Sequence, residues 1–219
     1  MKIELFKVKR GKGYLFFYRS LQFIVSIILK PLLRIEIINK EKSFYNGKII
    51  LCCNHISALD PILIAGYYPR PVYFLAKKEL FKNFFFRMLI EFFNAFPINR
   101  SGVDRSAINK AIEVVNNGNP LVIFPEGTRS SGKEIGEGHK GLALISYMSD
   151  TPILPIAICD MKKVSRGKKK ILWPKIKIIF GDLIDANGIF KNHSKKEGIA
   201  LIANISMENL KKLYKEISC

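Results

Sequence analysis

Four residue types in this chain carry the groups that a proton-transfer reaction on a phosphorylated substrate needs: an imidazole, carboxylates, arginines and glycines beside them. The run Asn54-His55-Ile56-Ser57-Ala58-Leu59-Asp60 sets a histidine and an acid five positions apart. Histidine is the side chain that changes charge near neutral pH, and the chain has only 3. An acid one helical turn away can hold one ring nitrogen and leave the other basic. The same residues have a structural reading. Ser57-x-x-Asp60 before an apolar stretch is a capping-box pattern, and Pro61 is tolerated in a first helical turn. On these residues alone both readings stand.

A second group follows further on, in Phe124-Pro125-Glu126-Gly127-Thr128-Arg129-Ser130. Here Glu126 offers an acceptor for a substrate hydroxyl, Gly127 lets a ligand approach the backbone, and Arg129 offers a fork for phosphate. The alternative is a plain turn with a surface Glu126–Arg129 ion pair. Pro97-Ile98-Asn99-Arg100 supplies another cation at another strand end. Residues 132–141 hold four glycines with Lys133, His139 and Lys140 but lack P-loop spacing. They read as a mobile loop beside the phosphate site. His139 lacks an obvious orienting acid, and His193 lies in a polar stretch.

The elements that must position these groups are legible as short apolar runs bounded by Pro, Gly or charge. Residues 48–53, 72–76, 95–98, 121–124, 153–158 and 176–180 read as mostly buried strands. Residues 57–67, 107–115, 141–148 and 199–217 keep helical spacing. Strands separated by helices predict an α/β fold: a mostly parallel central sheet with helices on both faces. In an open sheet of this kind ligands bind beyond the carboxyl ends of the strands, where His55 and Glu126 both fall. Neither a repeat nor a dividing linker is evident in the 219 residues, so a single domain is expected. Residues 1–40 form a basic segment and membrane-associating helix, and 41–219 the catalytic part.

The formal net charge of +18 needs acidic partners or a compositional cause. Lysine outnumbers arginine, which fits a compositional bias; the remainder suits phosphate-bearing substrates, anionic lipid or an acidic protein. At the N-terminus, Phe16, Phe17, Leu21, Ile24, Val25, Ile28 and Leu29 recur at helical spacing. Arg19 and Lys30 bracket an uncharged run too short to span a bilayer. The helix is either an interfacial anchor or packed on the protein's own core. Residues 81–88 mix phenylalanines with cations and admit the same two readings, the core one slightly ahead. The basic run 162–170 reads as a solvated loop able to touch anionic headgroups.

Cysteines 52, 53, 159 and 219 show no zinc spacing and suit a reducing compartment. A nucleophilic Cys53 is the lesser reading beside two buried thiols.

Four blocks, taken in order, resemble the 1-acylglycerol-3-phosphate acyltransferases of the glycerolipid acyltransferase superfamily. They are Asn54-His55 through Asp60; Phe96-Pro97-Ile98-Asn99-Arg100; Phe124 through Ser130; and Pro152-Ile153-Leu154-Pro155-Ile156. Asn99 departs from the pattern, since many relatives carry Asp there. The resemblance implies catalysis by His55 oriented by Asp60. It implies substrate contacts from Arg100, Glu126, Gly127, Thr128, Arg129 and Lys140, with Glu126 orienting the glycerol and backbone N–H groups near Gly127 stabilising the oxyanion. It further implies an acyl-carrier-protein or coenzyme A thioester donor, a lysophospholipid acceptor, an anionic membrane surface at the cytoplasmic face, and no cofactor or metal. Two rivals stay open: the same transfer onto another lysophospholipid or lyso-aminolipid, and a nonenzymatic basic protein that binds membrane or nucleic acid. Nucleic acid is not expected, because no recognition module appears.

Overall fold

The computed structural model describes residues 11–99, 102, 104–130, 134–160 and 175–218. Seven strands make one sheet in the order β1-β7-β6-β2-β5-β3-β4. The strands are β1 Glu36–Ile38, β2 Ile50–Cys53, β3 Tyr73–Lys77, β4 Ala95–Ile98, β5 Leu121–Ile123, β6 Ile153–Asp160 and β7 Ile176–Phe180. Every pairing is parallel except β6 with β7. The predicted mostly parallel α/β sheet is therefore what the chain forms. Sequence reading missed β1, a three-residue strand at the sheet edge with no fully buried residue to mark it.

Seven helices are described: α1 Lys12–Leu32, α2 Asp60–Tyr67, α3 Phe84–Phe92, α4 Arg105–Asn116, α5 Gly141–Ser149, α6 Ala186–Asn192 and α7 Lys195–Ser218. They cover both faces of the sheet. Ile50 and Cys52 of β2 pack with residues of α4, α5 and α7, such as Val115, Leu142 and Leu210. Leu51 and Cys53 face the other way, with Tyr18 of α1 and Leu63 and Ile64 of α2. A strand covered on both sides reads as a continuous apolar run, which is why residues 48–53 show no alternation.

Helix α2 starts at Asp60, three residues later than the capping-box pattern predicts. Pro61 is the reason. In a helix begun at Ser57 it would lie a full turn in, where its missing N–H and its ring oppose the Ser57 carbonyl. A start at Asp60 keeps it in the first turn.

Helix α1 is long and apolar enough to cross a bilayer by length and composition, yet one side of it is bonded to the domain. The Tyr14 hydroxyl donates to Asn94 Oδ1 at 2.8 Å, and the Tyr18 hydroxyl accepts from the Val72 N–H. Gln22 Nε2 donates to the carbonyls of Ala65 and Tyr68, at 2.7 and 2.9 Å. Val25 lies against Gly66, where a Cβ would come within 2.9 Å of its Cγ1. The opposite side leaves Phe16, Phe17, Phe23, Ile24, Ile27 and Ile28 exposed. The apolar stripe thus divides: Val25 and Leu29 face the domain, while Phe16, Phe17, Ile24 and Ile28 face outward. On α3, Phe84 and Phe85 are 68% and 79% exposed. The core reading of these two phenylalanines is overturned; Phe81 alone of the described ones in residues 81–88 packs against the core.

Candidate active site

Strand β2 ends at Cys53, and the chain leaves the sheet through Asn54, a buried residue. His55 and Asp60 then meet across this turn. His55 Nδ1 lies 2.8 Å from Asp60 Oδ2. The same oxygen accepts the backbone N–H groups of Ile56 and Ser57, each at 2.7 Å. A carboxylate oxygen that already accepts two backbone N–H groups meets the ring as an acceptor, which matches the tautomer with its proton on Nδ1. Nε2 is left as the acceptor nitrogen of the ring. Ser57 does not cap α2; its hydroxyl accepts from the Leu59 N–H within the turn. Asp60 is fully buried, and its Oδ1 has no hydrogen-bond partner among the described residues. A fully buried carboxylate is not a surface cap, and an unpaired buried oxygen is uncommon.

Strand β5 pairs next to β2, so the segment after it arrives beside the histidine. Phe124 stacks on the His55 ring, with centroids 4.4 Å apart and planes 27° from parallel. Glu126 is buried and does not pair with Arg129 as the turn reading had it. Its Oε1 accepts the His55 backbone N–H at 2.9 Å, and its Oε2 accepts the Gly136 N–H at 3.0 Å. Ser130 completes the grip: its N–H and hydroxyl both donate to the His55 carbonyl, at 2.8 and 3.2 Å. Thr128 and Arg129 are exposed.

Gly127 has φ +67°, a region open to glycine and strained for other residues. A Cβ there would lie 3.0 and 3.1 Å from Cδ2 and Nε2 of His139. The loop before α5 therefore closes over the 124–130 segment, and the His139 N–H donates to the Pro125 carbonyl at 2.9 Å. Within residues 134–140, the N–H groups of Gly136 and His139 are thus bonded to Glu126 and Pro125. Lys140, next to His139, is exposed beside the same segment. The Gly127 N–H already donates to Phe124 O at 3.1 Å, so it is not available as an oxyanion donor.

Arg100 follows β4 and lies outside the described residues, as does the basic run 162–170. His193 sits away from the cluster, exposed at the end of α6 with Nδ1 on the Ile189 carbonyl. Cys52, Cys53 and Cys159, the thiols among the described residues, are all buried. Burial pushes Cys52 up to about 12 and Cys53 well above the ordinary thiol value, the Asp60 charge adding to the latter. Sequence reading missed the roles of Asn54, Phe124 and Ser130. The signal for Asn54 was its place between a buried strand and the histidine; nothing local marked the other two.

Comparison with known proteins gives the family and the fold. Residues 34–159 match the family described as Acyltransferase. The 1-acyl-sn-glycerol-3-phosphate acyltransferase of Streptococcus pneumoniae is 33% identical over 95% of this chain and 77% of its own length. That of Bacillus subtilis is 27% identical over 91% of this chain and 98% of its own length. The crystal structure of the 1-acyl-sn-glycerophosphate acyltransferase from Thermotoga maritima shares the fold, with a TM-score of 0.73 over 98% of this chain and 86% of that one, at 22% identity. The chain belongs to the acyltransferase family, alongside these 1-acyl-sn-glycerol-3-phosphate acyltransferases.

Proposed function

We propose that the chain transfers an acyl group from an acyl thioester to the free sn-2 hydroxyl of 1-acylglycerol-3-phosphate, giving phosphatidate. The observation that carries this is the 2.8 Å contact between His55 and a buried Asp60 in a chain of this family. His55 Nε2 takes the hydroxyl proton as the oxygen attacks the thioester carbonyl. Asp60 holds the ring in the reactive tautomer and stabilises the imidazolium that forms. The tetrahedral intermediate collapses with loss of the thiolate, which recovers the proton from His55. The transfer is direct and needs no acyl-enzyme, in keeping with the full burial of Cys52 and Cys53 beside the site.

Arg129 and Lys140 take the acceptor phosphate, with the Thr128 hydroxyl beside them; all three are exposed, and the His139–Gly127 contact brings the Lys140 loop to the Arg129 segment. Arg100 joins them only by its place after β4. The donor is an acyl-carrier protein or coenzyme A thioester, both acidic carriers suited to a chain of charge +18. The reaction takes place at the cytoplasmic face of an anionic membrane. The exposed phenylalanines of α1 and α3 support this seat, since rings at headgroup depth are a common interfacial anchor.

The test is release of free thiol by the purified full chain given acyl-coenzyme A or acyl-carrier protein with 1-acylglycerol-3-phosphate, and phosphatidate identified by mass. His55→Ala abolishes it. Equal absence of turnover in wild type and His55→Ala, on this acceptor with either donor, overturns the assignment.

A further inference from the structure

Glu126 has two carboxylate oxygens, and each is bonded to main chain. Oε1 accepts from His55 and Oε2 from Gly136. A buried carboxylate requires donors, and these come from two loops that no sheet ladder holds. One is the turn after β2 that carries the base; the other, residues 134–140, leads to Lys140. The surrounding bonds run the same way. Ser130 donates twice to the His55 carbonyl, and His139 donates to the Pro125 carbonyl. So the segment after β5 grips the first loop at both sides of one peptide-bearing residue and the second at two backbone N–H groups.

We infer that Glu126 is a positioning residue: its carboxylate fastens the His55 turn to the 134–140 loop and acts on the reaction through His55, without touching the acceptor. Charge argues the same way. A bare carboxylate on a phosphate-bearing acceptor repels it, whereas one that meets two N–H dipoles is offset where it stands. An amide cannot do the same work. Glutamine has one acceptor oxygen and sets its NH₂ against the second N–H, and aspartate is one methylene too short to reach both loops.

The kinetic arm of the test rests on the proposed acyl transfer. Glu126→Gln and Glu126→Asp lower kcat by roughly 10- to 100-fold, as expected when a reacting group is misplaced by a fraction of an ångström to an ångström, with the acceptor KM within about 2-fold of wild type. A raised acceptor KM with kcat retained overturns the inference and makes Glu126 a substrate ligand. A second arm needs no turnover. The ring carbon resonances of the three histidines are compared in the substrate-free wild type and Glu126→Gln. His55 and His139 move while His193 stays. Three unmoved histidines overturn the inference, and so does movement of all three, which marks general loosening. If the wild type turns over no lysophosphatidate while His55 and His139 still move, the activity assignment fails and the positioning role stands.

Discussion

The Asn54 carboxamide and the Ile158 peptide bond to each other twice: Nδ2 donates to the Ile158 carbonyl and Oδ1 accepts its N–H, both at 2.8 Å. The parallel register of β2 on β6 ends with Cys53 opposite Ile156. The side chain of Asn54 then supplies the next rung, so the backbone is free to turn toward the active site while β6 stays paired.

Asn54→Leu leaves two backbone groups of Ile158 buried and unpaired. We expect a loss of roughly 2–6 kcal/mol of stability, from about 1–3 for each of the two groups, read as a lower urea midpoint. Turnover falls with it, because His55 is the next residue. Unchanged stability would mean that water enters and replaces the amide.

Asp60→Asn removes the charge and, with its oxygen in the place of Oδ2, buries an NH₂ at the Oδ1 position, which has no partner among the described residues. Turnover is expected to fall by about 10²–10⁴-fold, with thiol release as the readout. The variant keeps its acceptor KM, since Asp60 is buried and meets no substrate.

Gly127→Ala is opposed twice, by φ +67° and by the His139 ring about 3.0 Å from the new Cβ. Left-handed backbone costs a non-glycine residue about 1–2 kcal/mol. His139→Ala removes the clash but not the backbone cost. The double variant should therefore be more stable than the sum of the two single changes predicts, in a double-mutant cycle by chemical denaturation. Strict additivity would place the ring clear of Gly127.

Asp104 caps α4 and bonds the N–H of Asn99, the residue before Arg100. Its oxygens accept from Asn99 at 2.8 Å and from Ala107 at 3.0 Å. The Asn99 bond first, then the Ala107 bond, hold the carboxyl below its ordinary 3.8. A depressed value means that the stability is present in full above the unfolded value and is lost as pH falls through the folded one. Wild type should exceed Asp104→Ala by about 1 kcal/mol at neutral pH, and the gap should close below about pH 4. A gap that persists in acid would show that the ionised cap is not its source.

Phe16→Ser, Phe17→Ser and Phe23→Ser combined should release the protein from anionic vesicles in a sedimentation assay, at unchanged thermal stability, because all three rings are at least 65% exposed. Retained vesicle binding would move the anchor to another surface.

The parts of the site that the sequence made legible are those that a short stretch of chain determines. His55 and Asp60 are five positions apart, and the buried run before them fixes where they leave the sheet. The strands of the sheet interior were legible because burial on both faces makes them uniformly apolar. What stayed hidden depends on distant partners. Glu126 looked like a hydroxyl acceptor because nothing nearby shows that its partners are backbone N–H groups at positions 55 and 136. Phe84 and Phe85 looked like core because composition alone does not say which way a helix faces. The start of α2 was misplaced because a capping pattern was weighed above the position of Pro61.

Helix α2 is eight residues, about 12 Å of helix. At one end Asp60 holds the base; at the other, Gln22 of α1 holds the carbonyls of Ala65 and Tyr68. The outward phenylalanines of α1 and the reactive imidazole are thus two ends of one stiff bracket. With α1 seated on a bilayer, the height of the base above the lipid is a dimension of the fold. On the proposed reaction, an acceptor held in its leaflet would meet His55 at the depth that this bracket sets.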